Sequence, residues 1–167
     1  MRTAVKEEIV RLFYHGFNAV LILTCTVWGF SRWQALPESI PVHFGVSGVP
    51  DRWTGKGWEL ALIVLLPLIM TLFLYGMLAL SKKYTGLINV PDKEKLLALP
   101  AERQEPFWNM LTELIAGLAA TINIVFFSIM YSMVQVAFAR QTGLSWLFFG
   151  ALGLVFLFAI VYIVRLK

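Results

Sequence analysis

Two sets of side chains in this sequence have the types and spacing to do chemistry. The first is His43, Asp51 and Lys56, close together in one Pro- and Gly-rich stretch. A carboxylate can accept from an imidazole and an ammonium at once, and imidazole is the side chain that ordinarily changes charge near neutral pH. Such a cluster either contacts a ligand or peptide or staples the loop onto neighbouring helix ends. The second set is His15, Asn18, Glu113 and Asn123, which lie in or beside long apolar runs. Acids at such positions are functional suspects by default. Glu113 therefore has two readings. It is an interfacial acid or interhelical hydrogen-bonding group, capping the helix that Pro106 opens, or it belongs to a proton or ion relay. His15, Asn18 and Glu113 are expected near the same helix ends, where a mutual contact is geometrically possible.

Other chemistries find little material. Zinc asks for three or four His, Cys or carboxylate ligands, and the His43 segment supplies one His and no Cys. Met70, Met77, Met110, Met130 and Met133 fall at helical spacings that suit packing better than copper ligation. The lone Cys25 has no partner for an internal disulfide and reads as a small apolar packing residue. No Walker motif, GxSxG, HExxH, CxxC or paired-carboxylate cleft occurs. The expectation is a protein that is not an enzyme, with no catalytic residues, no cofactor, no metal and no nucleic-acid partner.

The elements that position these residues follow from composition. Of the 167 residues 59% are hydrophobic and 14% charged, the net charge is +4, and mean hydropathy is +0.74. A soluble domain needs about a quarter of its residues charged, so water is the wrong solvent for most of this chain. Uncharged runs at Leu12–Phe30, Leu60–Leu80, Leu114–Ala139 and Leu144–Val164 are each long enough to cross a bilayer. Backbone in lipid must satisfy its own hydrogen bonds, and strand-like alternation is missing, so these are helices rather than a barrel. The fold class expected is an all-α integral membrane protein. Its single domain has spans at 12–31, 59–80, 108–138 and 144–164.

Arg2, Lys6, Arg11, Lys82, Lys83, Lys93, Lys95, Arg103, Arg165 and Lys167 fall on one side of these spans, with Arg32, Arg52, Lys56 and Arg140 on the other. The positive-inside rule then puts both termini (N-in, C-in) and the loop 81–107 in the cytoplasm and the loop 32–58 outside it. Trp33, Trp53, Trp58 and Trp146 suit the outer interface, Trp108, Tyr84 and Tyr162 the inner one. Glu7 and Glu8 precede the first span and no A-x-A-like site follows it, so the span is read as retained rather than cleaved.

The third run is longer than a bilayer requires and should tilt or project. Asn109, Glu113, Ala116, Ala120 and Asn123 share one helical face, with Gly117, Thr121, Ser128, Ser132 and Gln135 on an adjoining one. Small and polar residues on two faces predict a central helix touching several neighbours. The first span presents His15, Asn18, Ile22, Cys25 and Gly29 along one stripe, and Pro67 should kink the second. In the loop 81–107, Pro91 opens and Pro100 stops a short helix over 91–99. Its Leu96, Leu97 and Leu99 would lie along the membrane or dock a cytoplasmic partner.

The segment from Leu36 to Lys56 reads LPESIPVHFGVSGVPDRWTGK. Ile40, Val42 and Phe44 alternate, predicting a short extended piece followed by turns at Gly45–Gly48 and Val49–Asp51. Leu36, Pro37, Ile40, Pro41, His43, Phe44, Gly48, Asp51 and Lys56 closely resemble the loop signature of a bacterial membrane family of unknown function. That signature is also found at the N-terminal end of SdpI-like immunity proteins. The match covers the first two spans and their loop. The resemblance implies a multi-pass protein of the bacterial inner membrane that acts by protein or ligand contacts, in sensing, immunity or regulation. It also implies that Pro41, His43, Phe44, Gly48, Asp51 and Lys56 form the contact loop. Besides the bilayer, protein partners in or outside the membrane are expected. The alternatives are an accessory subunit that anchors or stabilises a larger membrane complex, and a small transporter using Glu113.

Overall fold

A computed structural model describes the backbone of residues 2–165 and the side chains of residues 8–164. The side chains of Arg2, Lys6, Arg165 and Lys167, which enter the charge asymmetry, lie outside the described ones. The element order is α1 (Arg2–Arg32), β1 (Ile40–Phe44), β2 (Pro50–Thr54), α2 (Trp58–Lys83), a 3-10 turn (Thr85–Leu87), α3 (Lys93–Leu97), α4 (Ala101–Ala137) and α5 (Trp146–Arg165). Four of the helices, over Glu8–Arg32, Trp58–Lys83, Ala101–Ala137 and Trp146–Val164, are long and apolar enough to cross a membrane.

The bundle is built around α4, which packs against α1, α2 and α5. Its buried face explains why. Ala116, Gly117, Ala119, Ala120, Ser128 and Ser132 are small, so neighbouring backbones approach closely. A Cβ at Gly117 would collide with the Phe158 ring of α5. On α1, a Cβ at Gly29 would lie 2.8 Å from Val64 Cγ1 and 2.9 Å from Met130 Sδ, so α1, α2 and α4 meet there at van der Waals limits. The outward faces carry Leu12, Phe17 and Leu23 of α1, Leu72 and Phe73 of α2, and Phe156 and Leu157 of α5. Apolar side chains on the outside suit hydrocarbon, where exposed backbone polar groups could not be tolerated.

α4 has 37 residues and is about 55 Å long, well beyond a ~30 Å hydrocarbon core. It opens at Ala101, with Pro100 as its extended N-terminal neighbour (ψ 149°). The expectation that Pro106 opens the helix is therefore corrected. Pro106 lies inside it, where its missing N–H removes the bond to the Glu102 carbonyl near the helix start. Glu113 is thus about three turns into the helix and not a cap. α2 runs unbroken through the buried Pro67. The short helix expected over 91–99 is the five-residue α3, preceded by Asp92 in a left-handed conformation (φ 52°).

Between α1 and α2 the chain forms an antiparallel hairpin. Ile40 pairs with Thr54, Pro41 with Trp53, His43 with Arg52 and Phe44 with Pro50, with irregularities on either side of His43. One turn joins the strands, closed by Gly45 N–H to Val49 O (2.9 Å) and Gly48 N–H to Gly45 O (2.8 Å). The second turn expected at Val49–Asp51 is replaced by the start of β2, because Pro50 suits a strand's first position where no donor is needed. Gly48 has φ 75°, as this turn requires. The inner side of β1 anchors the hairpin. Ile40 is fully buried with Leu36, Leu60, Met133 and Val134 at the helix ends.

The loop from α4 to α5 grips the hairpin's tip. Leu144 N–H donates to Gly48 O (2.8 Å), and Gly143 lies so close that a Cβ there would strike the same carbonyl. α4 ends in a Schellman arrangement: Arg140 N–H donates to Gln135 O (2.8 Å) and Ala139 N–H to Val136 O (2.9 Å). Ala139 fills the left-handed position (φ 56°) that glycine adopts without steric cost. Two outcomes are expected from thermal unfolding in mild detergent. Ala139→Gly should stabilise the protein by about 1 kcal/mol by relieving left-handed strain. Gly143→Ala should destabilise it by about 1–3 kcal/mol, because two backbones must separate, and should expose the hairpin to protease.

Candidate functional site

The hairpin carries the most exposed chemistry. The irregular register around His43 sets its ring against Asp51 across the strands, with Nδ1 2.5 Å from Oδ1. A carboxylate only accepts, so Nδ1 carries the proton and Nε2 is left as the imidazole's free edge. Gly45 leaves room for the pair: a Cβ there would lie 3.1 Å from Asp51 Oδ2. Both side chains are about half exposed, at 59% and 52%. Exposed pairs of this kind contribute about 0–1 kcal/mol, so the interaction orients the ring more than it stabilises the fold. Lys56 does not join them. Its Nζ donates to Gln34 O (3.0 Å), tying the end of the hairpin back to the segment after α1. Pro41 is buried with Ile40, whereas Val46 at the tip is fully exposed.

Beneath the hairpin is a half-open chamber of about 270 Å³. β1 forms its roof with Val42, His43 and Phe44, while Ile63 and Leu66 of α2 line one wall and Phe148 of α5 another. Phe126, Ile129 and Met133 of α4 make the floor. His43 is the polar side chain in this lining, so the hairpin's one titratable ring stands at the edge of an apolar space.

Deeper in the bundle the polar residues separate into two arrangements. Asn123 is fully buried and donates through Nδ2 to Asn18 Oδ1 (3.0 Å) and Thr71 Oγ1 (3.0 Å). Asn18 Nδ2 in turn donates to Ala116 O (2.8 Å) and Tyr14 O (3.0 Å). One amide network thus joins α1, α2 and α4. His15 instead faces α2, its Nδ1 2.7 Å from Tyr75 Oη. The contact suggested among His15, Asn18 and Glu113 is not formed. His15 and Asn18 share one face of α1, yet His15 takes Tyr75 of α2 while Asn18 takes Ala116 O and Asn123 of α4. Glu113, partly buried, makes no hydrogen bond or ion pair among the described residues. At the same end of the bundle Arg11 donates to Asn109 Oδ1 (2.9 Å) and Lys82 to Thr112 Oγ1 (2.9 Å).

Thr71, Ser145 and the Tyr75 that meets His15 escape the sequence reading. Thr71 is the hydroxyl in an otherwise aliphatic stretch of α2, and that isolation was a usable signal. Ser145, just before α5, sends its N–H to Ser132 Oγ (3.0 Å) and stitches the start of α5 to α4. Nothing in its spacing announced this. Among the described residues no three His, Cys, Asp or Glu side chains converge as metal ligands would.

Four apolar helices in series with a packed hairpin define a multi-pass helical membrane protein. Residues 20–71 match a family described as Domain of unknown function (DUF1648). That stretch takes in the second half of α1, the whole hairpin and the first half of α2, and so includes His43, Asp51 and Lys56. A protein of Archaeoglobus fulgidus, described as an uncharacterized protein, is 24% identical over 132 residues, which cover 76% of this chain and 72% of that protein. No solved structure matches the chain.

The amide network predicts a measurable coupling. Asn18→Ala and Asn123→Ala should each destabilise the bundle by about 1–2 kcal/mol, and the double variant by clearly less than the sum, when unfolding is followed in detergent.

Proposed function

We propose that this protein is not a catalyst and acts by contact, presenting the hairpin as a rigid recognition element on the extracytoplasmic face of the bacterial inner membrane with both termini in the cytoplasm. The observation that carries this reading is the His43–Asp51 pair. It is half exposed and oriented, on a hairpin seated by Ile40 and gripped at Gly48. Binding costs less when the contacting groups are already fixed. The charge asymmetry supports the orientation, since the hairpin side holds the minority of basic residues. The likeness of the Leu36–Lys56 segment to SdpI-like immunity proteins supports sensing, immunity or regulation as the kind of role.

Orientation is tested by Val46→Cys. A membrane-impermeant maleimide applied to intact cells should label this exposed tip, with the buried Cys25 of the parent protein as the unreactive control. Labelling only after lysis would reverse the topology. Contact through the hairpin is tested by mild-detergent purification with quantitative mass spectrometry. His43→Ala and Asp51→Ala should leave abundance unchanged and lose the co-purifying partner. A partner retained by both variants would point to docking on the apolar helix faces, as an accessory subunit would dock.

A further inference from the structure

We infer that the chamber beneath the hairpin is a binding site for one alkyl chain of a membrane lipid, drawn from the leaflet on which the hairpin lies, with the lipid's polar end beside His43. Its depth comes first. Ile63 and Leu66 lie about 8–12 Å below Trp58 along α2, and Phe148 lies just inside Trp146 on α5. Both tryptophans are largely exposed and suit the membrane interface, so the chamber starts where the hydrocarbon starts. α2 and α5 each pack on α4 with no comparable contact between them, and residues of both line the chamber, so the route we infer for the chain runs between these two helices.

The lining suits an apolar occupant better than ordered water, which needs two to four polar partners: its polar side chain is His43, whose Nδ1 is already engaged by Asp51. The volume, about 270 Å³, exceeds the ~150 Å³ apolar cavity that suffices to hold a benzene ring. Left empty, such a space forfeits dispersion contacts along every wall. Within lipid, packing of this kind rather than hydrophobicity decides what associates. A flexible chain with one end in the leaflet fits the shape, the polarity and the route. The inference does not depend on which side of the membrane the hairpin faces, because the entrance meets hydrocarbon in either orientation.

The test uses the full chain in nanodiscs of phosphatidylcholine containing a small fraction of a phosphatidylcholine with a diazirine in one acyl chain. After irradiation, peptide mapping should find Phe126 and Phe148, partly exposed in the lining, labelled well above Leu23 and Val27, which are exposed on the outer face of α1. Ile129→Trp and, as a gentler filling, Leu66→Phe should lower the chamber labelling to the level of those α1 residues and leave α1 labelling unchanged. Chamber labelling no stronger than on α1, or undiminished in whichever filled variant stays folded, overturns the inference. Cysteine labelling of Val46 succeeds or fails separately, so failure of the orientation and failure of the lipid site are told apart.

Discussion

A carboxamide buried in hydrocarbon must be paired, and this constraint organises the bundle. Asn123 sits in the middle of α4 with no exposure, and its satisfaction requires Asn18 from α1 and Thr71 from α2 at one level. A slide of either helix by one turn would strand an amide or a hydroxyl where no water can reach it. Apolar packing between membrane helices has little preference for register, since lipid tails offer similar contacts. The amide network supplies the missing specificity, and the small residues flanking it allow the approach it demands.

The second constraint acts at the hairpin end. A two-stranded hairpin is marginal by itself. Here Ile40 is sunk among Leu36, Leu60 and Met133, and the far tip is gripped by the loop before α5. Rigidity of the His43–Asp51 pair therefore comes from helices, not from strand pairing. The same arrangement lifts β1 over the gap between α2 and α5 and so creates the roof of the chamber. One packing solution yields both the presented polar edge and the apolar space beneath it.

Most of the architecture was legible because lipid imposes a simple code. Four uncharged runs identified the spanning helices, and two faces of small and polar residues marked α4 as central. The helix starts were less legible. Pro106 has the character of an opening residue, yet it sits inside α4, where the bond lost is the one to Glu102 near the helix start. In the loop, alternation at Ile40, Val42 and Phe44 marks β1, but Gly48 and Pro50 suggest two turns where one turn and a second strand occur. Among the candidate residues, His43 and Asp51 meet as their chemistry suggested. Lys56 does not, because a nearer carbonyl at Gln34 takes its ammonium. His15 and Asn18 share a helical face but take different partners, so a common stripe does not by itself name the contact. The chamber was invisible in sequence, since it is made by a gap between two helices remote along the chain.

The seam between Gly48 and Gly143 joins the hairpin between α1 and α2 to the loop between α4 and α5. During synthesis α1, the hairpin strands and α2 emerge early, whereas Gly143 and Leu144 arrive only after the longest helix has been made. Until then the carbonyl of Gly48 has no backbone partner at the tip and the chamber lacks its Phe148 wall. Completion of the hairpin therefore depends on a segment made well after its own strands, and a local turn is closed by a distant part of the chain.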